Sequence, residues 1–110
     1  KYRGRRFYEH NPNVTLMRTT PDECTRIGQW IGEKLNACDG EVRFLIPEKG
    51  VSAIDIEGGP FWDPAADDAL FNAIEATVIG TPKRKVRRLP LHINDPAFAK
   101  AAVAAFNEIA

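Results

Sequence analysis

The stretch VRFLIPEKGVSAIDIEGGPFWDP, residues 42–64, decides the fold class of this 110-residue chain. Its first five residues are apolar apart from Arg43, a composition that predicts a strand buried on both faces. At the other end, Asp63 and Pro64 predict a helix start, because aspartate caps the first turn and proline fits the first helical position. A buried strand followed by a helix is the repeating unit of α/β folds.

The connection between that strand and that helix is unusually long. It covers about 15 residues, and connections of this length without secondary structure tend to be functional or disordered. Its large apolar side chains argue against disorder; they are Val51, Ile54, Ile56, Phe61 and Trp62. We therefore predict an ordered loop that presents a binding surface.

The same unit recurs on both sides of this stretch. Capping residues followed by proline at Thr20 and Asp95 predict two further helix starts. Strands are predicted at residues 14–18, 42–46 and 86–91. Strands that alternate with helices favour a parallel sheet with right-handed crossovers. The predicted fold class is therefore α/β, a three-layer Rossmann-like subdomain with a short parallel sheet and three β-α units.

The chain is expected to be one part of a larger protein. Residues 1–110 predict a single α/β subdomain, and three strands are few for a free-standing parallel sheet. Lysine rather than methionine stands at position 1, which also suggests a fragment. The expected partner is a companion half, supplied by the longer protein or by another chain.

Composition narrows the classes of partner. Lysine plus arginine and aspartate plus glutamate both number 15, so the net charge of zero gives no argument for nucleic acid or membrane as partner. No apolar run approaches the roughly 20 residues that span a bilayer, and no signal peptide is visible, so a cytoplasmic location is expected. Residues 83–88 form the one basic cluster, and without interleaved aromatic residues it predicts a solvated edge strand.

Candidate site residues follow from the predicted topology. Ligands of open α/β sheets bind at the carboxyl ends of the strands, which fall here in residues 18–20, 47–62 and 92–95. The predicted ligand-binding residues are Glu48, Gly50, Val51, Ser52, Asp55, His92, Asn94 and Asp95. The central expectation is that Ser52, Asp55 and His92 share one neighbourhood.

The chemistry of these residues stays open. Backbone N–H groups of residues 50–52 could bind an anion, although neither G-x-x-x-x-G-K-[ST] nor G-x-G-x-x-G occurs. Carboxylates such as Asp55 could accept ribose hydroxyls, hold a metal, move protons or face solvent. His92 could be an acid or base, a phosphate partner, a metal ligand or a structural group, and Asp95 is expected to cap a helix.

Two dedicated chemistries are disfavoured. No HExxH motif or Cys/His spacing predicts a zinc site. The sequence around Ser52, GVSAI, lacks the G-x-S-x-G elbow of a serine nucleophile. Whether the chain belongs to an enzyme is left open at this point.

Four motifs together resemble a known family. They are KYRGRRFYEHNPNVTLMRTT, GVSAID, GGPFWDP and HINDPAFA, and they occur in the family's order over nearly the whole chain. The sequence resembles the C-terminal part of a largely uncharacterised family that includes the ATP-binding domain of the tomato mosaic virus resistance protein. The resemblance implies the second of two Rossmann-like subdomains, in a protein that binds ATP and self-associates as a homo-oligomer. It implies no established reaction.

Three hypotheses follow. The chain could be half of a cleft for an anionic ligand, a nucleotide or phosphorylated metabolite. It could be an assembly module whose loop residues serve only to order the subdomain. It could also be half of an enzyme for a small carbonyl or phosphorylated substrate.

Overall fold

The computed structural model describes residues 2–110 and confirms the α/β class. Helices and strands alternate from the second strand onwards. The elements are β1 (Phe7–Asn11), β2 (Val14–Met17), α1 (Pro21–Asn36), β3 (Val42–Pro47), α2 (Pro64–Thr77), β4 (Arg84–Leu89) and α3 (Pro96–Ile109).

Each helix begins at the residue that the sequence predicts. The Thr20 hydroxyl accepts a hydrogen bond from the Glu23 N–H, and the Glu23 carboxylate accepts one from the Thr20 N–H. Asp63 caps α2 and Asp95 caps α3 through their carboxylate oxygens. Because a proline follows each cap, the first turn also begins with a fixed φ and no unpaired N–H at that position.

The parallel sheet is short and consists of β3 and β4, which pair from Val42 with Arg84 to Pro47 with Leu89. The pairing continues beyond the strands into the loop. The Lys49 N–H donates to the Leu91 oxygen at 3.1 Å, and the Ile93 N–H donates to the Gly50 oxygen at 3.0 Å. The sheet therefore holds the start of the long loop beside the segment that contains His92.

Helices cover both faces of this sheet, as the three-layer prediction requires. On one face, Ile46 packs with Phe71 and Ile74 of α2 in the buried core, and Ile31 of α1 packs against that cluster. On the other face, Leu45 lies beside α3. Alternate residues of a strand point to opposite faces, so β3 contributes to both layers.

Helices α1 and α2 approach closely at two glycines. A Cβ added to Gly28 would lie 2.6 Å from the Leu70 oxygen, and one added to Gly32 would lie 2.6 Å from Thr77 Cβ. Both distances are too short for a carbon side chain, so glycine is required for this helix contact.

The first predicted strand does not join the parallel sheet. Residues of β2 pair with β1 in an antiparallel hairpin, so the parallel sheet has two strands and not three. The physical reason is local, because the turn at residues 11–13 brings β1 alongside β2 at small cost in loop entropy. The strand-then-helix order along the chain is retained, and the carboxyl end of β2 still reaches the long loop.

Among the helices of residues 2–110, none combines the length and apolar character needed to cross a bilayer.

Candidate functional site

A cleft of about 430 Å³ lies where the carboxyl end of β3, the long loop and the first turns of α2 meet. Four carboxylates line it, from Glu48, Glu57, Asp67 and Asp68. The other polar or aromatic groups are Lys49, Trp62 and His92. The position matches the rule that α/β sheets bind ligands at the carboxyl ends of their strands.

The loop that forms this cleft is fixed by its own hydrogen bonds. The Ser52 hydroxyl accepts from the N–H groups of Ile54 and Asp55, at 3.3 and 3.0 Å. The Phe61 N–H donates to the Ile54 oxygen at 2.9 Å and closes the loop across its width. Gly59 packs so tightly in between that an added Cβ would lie 2.5 Å from the Ile54 oxygen. These contacts give the loop the internal packing that the prediction of an ordered loop requires.

Both ring nitrogens of His92 are engaged. The Asn94 N–H donates to Nδ1 at 3.1 Å, so Nδ1 is the acceptor and Nε2 carries the proton of the neutral ring. Nε2 then donates to the backbone carbonyl oxygen of Ser52 at 2.7 Å. This geometry favours the structural alternative for His92, which holds the loop in place while one side of its ring faces the cleft.

Gly50 fits beneath that histidine. Its φ is +150°, and a Cβ there would collide with the backbone oxygen of Asp55 and lie 2.6 Å from His92 Cδ2. Residue 50 must therefore be glycine, with no side chain, for the loop to pack against His92.

The predicted neighbourhood of Ser52, Asp55 and His92 is present, but their roles in the site differ. Glu48 and His92 line the cleft. Ser52 and Asp55 lie in the loop behind it, linked by the hydrogen bond described above. The remaining candidates do not line the cleft. Gly50 lies against His92 and Asp55, and Val51 packs against the core cluster of Ile46, Phe71 and Ile74. The Asn94 N–H donates to His92, and Asp95 caps α3.

A buried charged cluster behind the cleft contains two residues that sequence reasoning missed. Arg18 Nη2 lies 3.0 Å from Asp55 Oδ2 and 2.7 Å from Asp67 Oδ1. The two aspartates are only 2% and 5% exposed. Arg18 Nε also donates to the Phe61 oxygen at 2.9 Å. One guanidinium therefore joins the end of the hairpin, the loop and α2.

This cluster shifts one ionisation. Burial, reinforced by the adjacent Asp55 carboxylate, raises the pKa of Asp67 to about 7, against the opposing effect of Arg18. Two carboxylates that share one cation cannot both ionise at low cost. Arg18 directly follows a strand at its carboxyl end, which is the sequence signal that could have identified it. For Asp67 the sequence indicates only a place in the first turn of α2, where the helix dipole favours a carboxylate.

The electrostatics of the cleft oppose direct binding of phosphate. Glu48, Glu57 and Asp68 face one ammonium, that of Lys49, and Glu48 lies 3.9 Å from Arg88 Nε, whereas the fourth carboxyl group, Asp67, already contacts Arg18. Such a wall favours groups that donate hydrogen bonds, such as hydroxyls and amines. Within residues 2–110, no group of three or more His, Cys, Asp or Glu side chains could hold a metal ion.

Most arginine side chains of the basic cluster at residues 83–88 form hydrogen bonds or ion pairs within the molecule. Arg87 makes two hydrogen bonds of 2.7 Å to Glu108, and Arg88 lies 2.6 Å from Glu75. Arg84 donates to the backbone oxygen of Asn36 at 3.0 Å. The cluster ties β4 to the helices on both faces of the sheet.

Comparison with known proteins assigns the chain to a family. Residues 1–110 match the model described as "Uncharacterised protein family (UPF0261) C-terminal domain". Two UPF0261 proteins, from Rhizobium meliloti and Mesorhizobium japonicum, are 68% and 69% identical over all 110 residues, which span 28% of each protein. The ToMV resistance protein Tm-1 of Solanum lycopersicum is 41% identical over 109 residues, which span 14% of its length.

The chain therefore spans less than a third of the length of the relatives that it matches. The predicted relation to the tomato mosaic virus resistance protein is confirmed at the level of sequence. The names of the UPF0261 relatives state no ligand or reaction.

Proposed function

The chain belongs to the UPF0261 C-terminal domain family, and we propose that it forms one wall of a nucleotide-binding cleft in the longer protein. The observation that carries this proposal is the cleft at the carboxyl end of β3, where Trp62 lies among four carboxylates. ATP is the ligand implied by the motif resemblance, with the remaining wall supplied by the rest of the longer chain.

The chemistry of this wall fits the nucleoside end of the ligand. Carboxylates such as Glu57 accept hydrogen bonds from ribose hydroxyls, as acidic residues do in dinucleotide-binding folds. The indole of Trp62 offers an apolar face for a base. The phosphates, which the carboxylates repel, would contact the other half of the protein.

Calorimetry on the full-length protein tests this proposal, with ATP and adenosine as separate ligands. We expect both to bind, and Glu57→Gln to weaken both by roughly tenfold or more, since a hydrogen bond to a charged group contributes about 1.5–3 kcal/mol. Trp62→Ala is expected to weaken both by a similar factor through lost stacking.

Matched controls lie outside the cleft. Glu33→Gln removes an exposed carboxylate of α1, and Phe7→Ala removes an aromatic ring of β1 that is 55% exposed. Both controls should leave affinity unchanged. Absence of ATP binding by the full-length protein, or equal affinity in Glu57→Gln and the unmodified protein, would refute the proposal.

Self-association is the second candidate function, and an exposed apolar surface on α1 favours it. Ile27 and Trp30 are both exposed and line a groove of about 390 Å³ with Arg26. An exposed tryptophan beside an arginine is typical of the centre of a protein interface. Light scattering of the full-length protein should then give a dimer, which Trp30→Ala converts to monomer; a monomer at high concentration would exclude this role.

The enzyme alternative depends on a different residue from the one predicted. His92 has both ring nitrogens engaged, whereas Asp67 lines the cleft and has a pKa of about 7. A carboxyl group with that pKa can exchange a proton at neutral pH. A screen of the full-length protein for turnover of nucleotides and phosphoesters, with Asp67→Asn as the control, tests this alternative.

A further inference from the structure

The outer edge of β3 is open among the described residues. The Val42 N–H donates to the Lys83 oxygen and the Glu48 N–H to the Leu89 oxygen, so even-numbered residues of this segment bond to β4. In a parallel ladder the alternate residues point their backbone groups the other way. The N–H and C=O groups of Arg43 and Leu45 therefore face away from β4.

An apolar groove lies beside β3, with no residue of β4 in its lining. It has a volume of about 330 Å³ and lies between β3 and α3, and we call it the β3–α3 groove. Its lining is Arg43, Leu45, Phe98, Ala102, Phe106 and Ile109, with Ala105 at its base. Phe106 lines this groove, yet its side chain is 65% exposed. Its helix, α3, is the richest in apolar residues of the described helices.

The opposite edge of the sheet has a different character. β4 is rich in lysine and arginine and is flanked by Pro82 and Pro90, features that protect edge strands from pairing. Its first residue, Arg84, already exchanges backbone hydrogen bonds with Thr81. β3 carries a single charged residue, Arg43, before Pro47. It is also covered by helices on both faces, as internal strands of parallel sheets are.

We propose that a further β-strand, from the part of the longer family protein outside these 110 residues, pairs with the open edge of β3 and covers Phe106 in the β3–α3 groove. The matched relatives are more than three times as long as this chain, so ample sequence exists to supply the strand. Two-stranded parallel sheets flanked by helices are incomplete by the usual architecture of α/β proteins. This inference is independent of any ligand in the cleft.

Hydrogen exchange of the full-length protein, resolved at single residues, tests the pairing. The N–H of Phe44, which points towards β4, serves as the internal control, because its hydrogen bond to β4 protects it whether or not a further strand is present. We expect Arg43 and Leu45 to be protected to the same degree as Phe44. Alternation, with fast exchange at Arg43 and Leu45 beside slow exchange at Phe44, would overturn the proposal.

The source of the strand is tested by dilution. Protection of Arg43 and Leu45 that persists when light scattering shows monomers identifies a strand of the same chain. Protection that disappears on dilution, together with a dimer at high concentration, would assign the edge to a second copy and overturn the proposed occupant.

Phe106→Ser in the full-length protein gives a second measurement. If a strand fills the groove, Phe106 is buried in the full-length protein. Its replacement by serine then leaves a cavity and lowers Tm by roughly 4 °C or more. Ala104→Ser, at an exposed position of the same helix, controls for the helix propensity of serine. Equal effects of the two substitutions would contradict the proposed covering of Phe106.

Discussion

Arg18 Nη2 lies 2.7 Å from Asp67 Oδ1, although the two residues are 49 positions apart in the chain. This contact binds the end of the β1–β2 hairpin to the first turns of α2. The same nitrogen lies 3.0 Å from Asp55 Oδ2 in the loop. The hairpin, which does not join the parallel sheet, is thereby attached to the back of the cleft.

Arg18→Met is expected to destabilise the 110-residue chain by about 3–5 kcal/mol at pH 7. The substitution leaves two buried carboxyl groups without their shared cation, and removal of one side of a buried ion pair costs this much. Urea denaturation measures the loss. Arg18→Lys is the control for charge. It should recover only part of the stability, because lysine keeps the positive charge but lacks the Nε contact to Phe61. No loss of stability in Arg18→Met would show that the cluster is not buried in solution.

The contribution of Asp67 to the stability of the chain should fall as pH rises from 4 to 7. Its folded pKa of about 7 exceeds the unfolded value of 3.8, so the folded state holds a proton that the unfolded state has released in this interval. The slope of unfolding free energy against pH is therefore negative in this interval, and the contribution of Asp67 becomes flat roughly one unit above its folded pKa. Asp67→Asn should remove this contribution, so the difference in unfolding free energy between the variant and the unmodified chain changes by on the order of 3 kcal/mol between pH 4 and 7. Parallel stability curves would contradict the raised pKa.

The contribution of Glu108 to stability should depend on pH in the opposite direction, at acid pH. Hydrogen bonds from Arg87, and then from Arg43, lower the pKa of Glu108 to about 2. Its contribution to stability is therefore complete above the ordinary value of 4.5 and is lost as pH falls towards 2. NMR titration of the side chain should give the low pKa directly, and Arg87→Gln should raise it. A midpoint near 4.5 in the unmodified chain would contradict the contact.

Gly50→Ala should destabilise the chain by about 2 kcal/mol or more. Its φ of +150° is unfavourable for alanine, and the new Cβ would collide with the Asp55 oxygen and the His92 ring. Gly40→Ala is the matched control, because no atom lies within 4 Å of a Cβ at that position. The control should be neutral or slightly stabilising; equal stability of the two variants would show that the loop adapts around residue 50.

Local signals in the sequence were sufficient for the helices and the loop. Capping residues followed by proline marked all three helix starts, because these interactions lie within one turn of helix. The apolar side chains of the long loop predicted its order, and the contact of Ser52 with His92 followed from the parallel pairing of β3 and β4. Glu48 and His92, both chosen from strand ends, do line the cleft.

Contacts between distant segments could not be predicted in the same way. Helical periodicity places Phe71 outside the inner face of α2, yet it is buried against Ile46, since α2 is covered by both α1 and the sheet. The hairpin took β2 away from the parallel sheet because β1 offered a partner only a turn away.

The amino-acid sequence by itself determined the helices, their caps and the position of β3, because each depends on residues close together in the chain. Burial of β3 on both faces was predicted, but only Ile46 and Pro47 are buried in the described chain. The tertiary structure alone decided that Arg18, Asp55 and Asp67 form one cluster, that the ring nitrogens of His92 hold the loop, and that the cleft is acidic. Those features depend on burial and on charges brought together from three segments, and no spacing along a single segment encodes them.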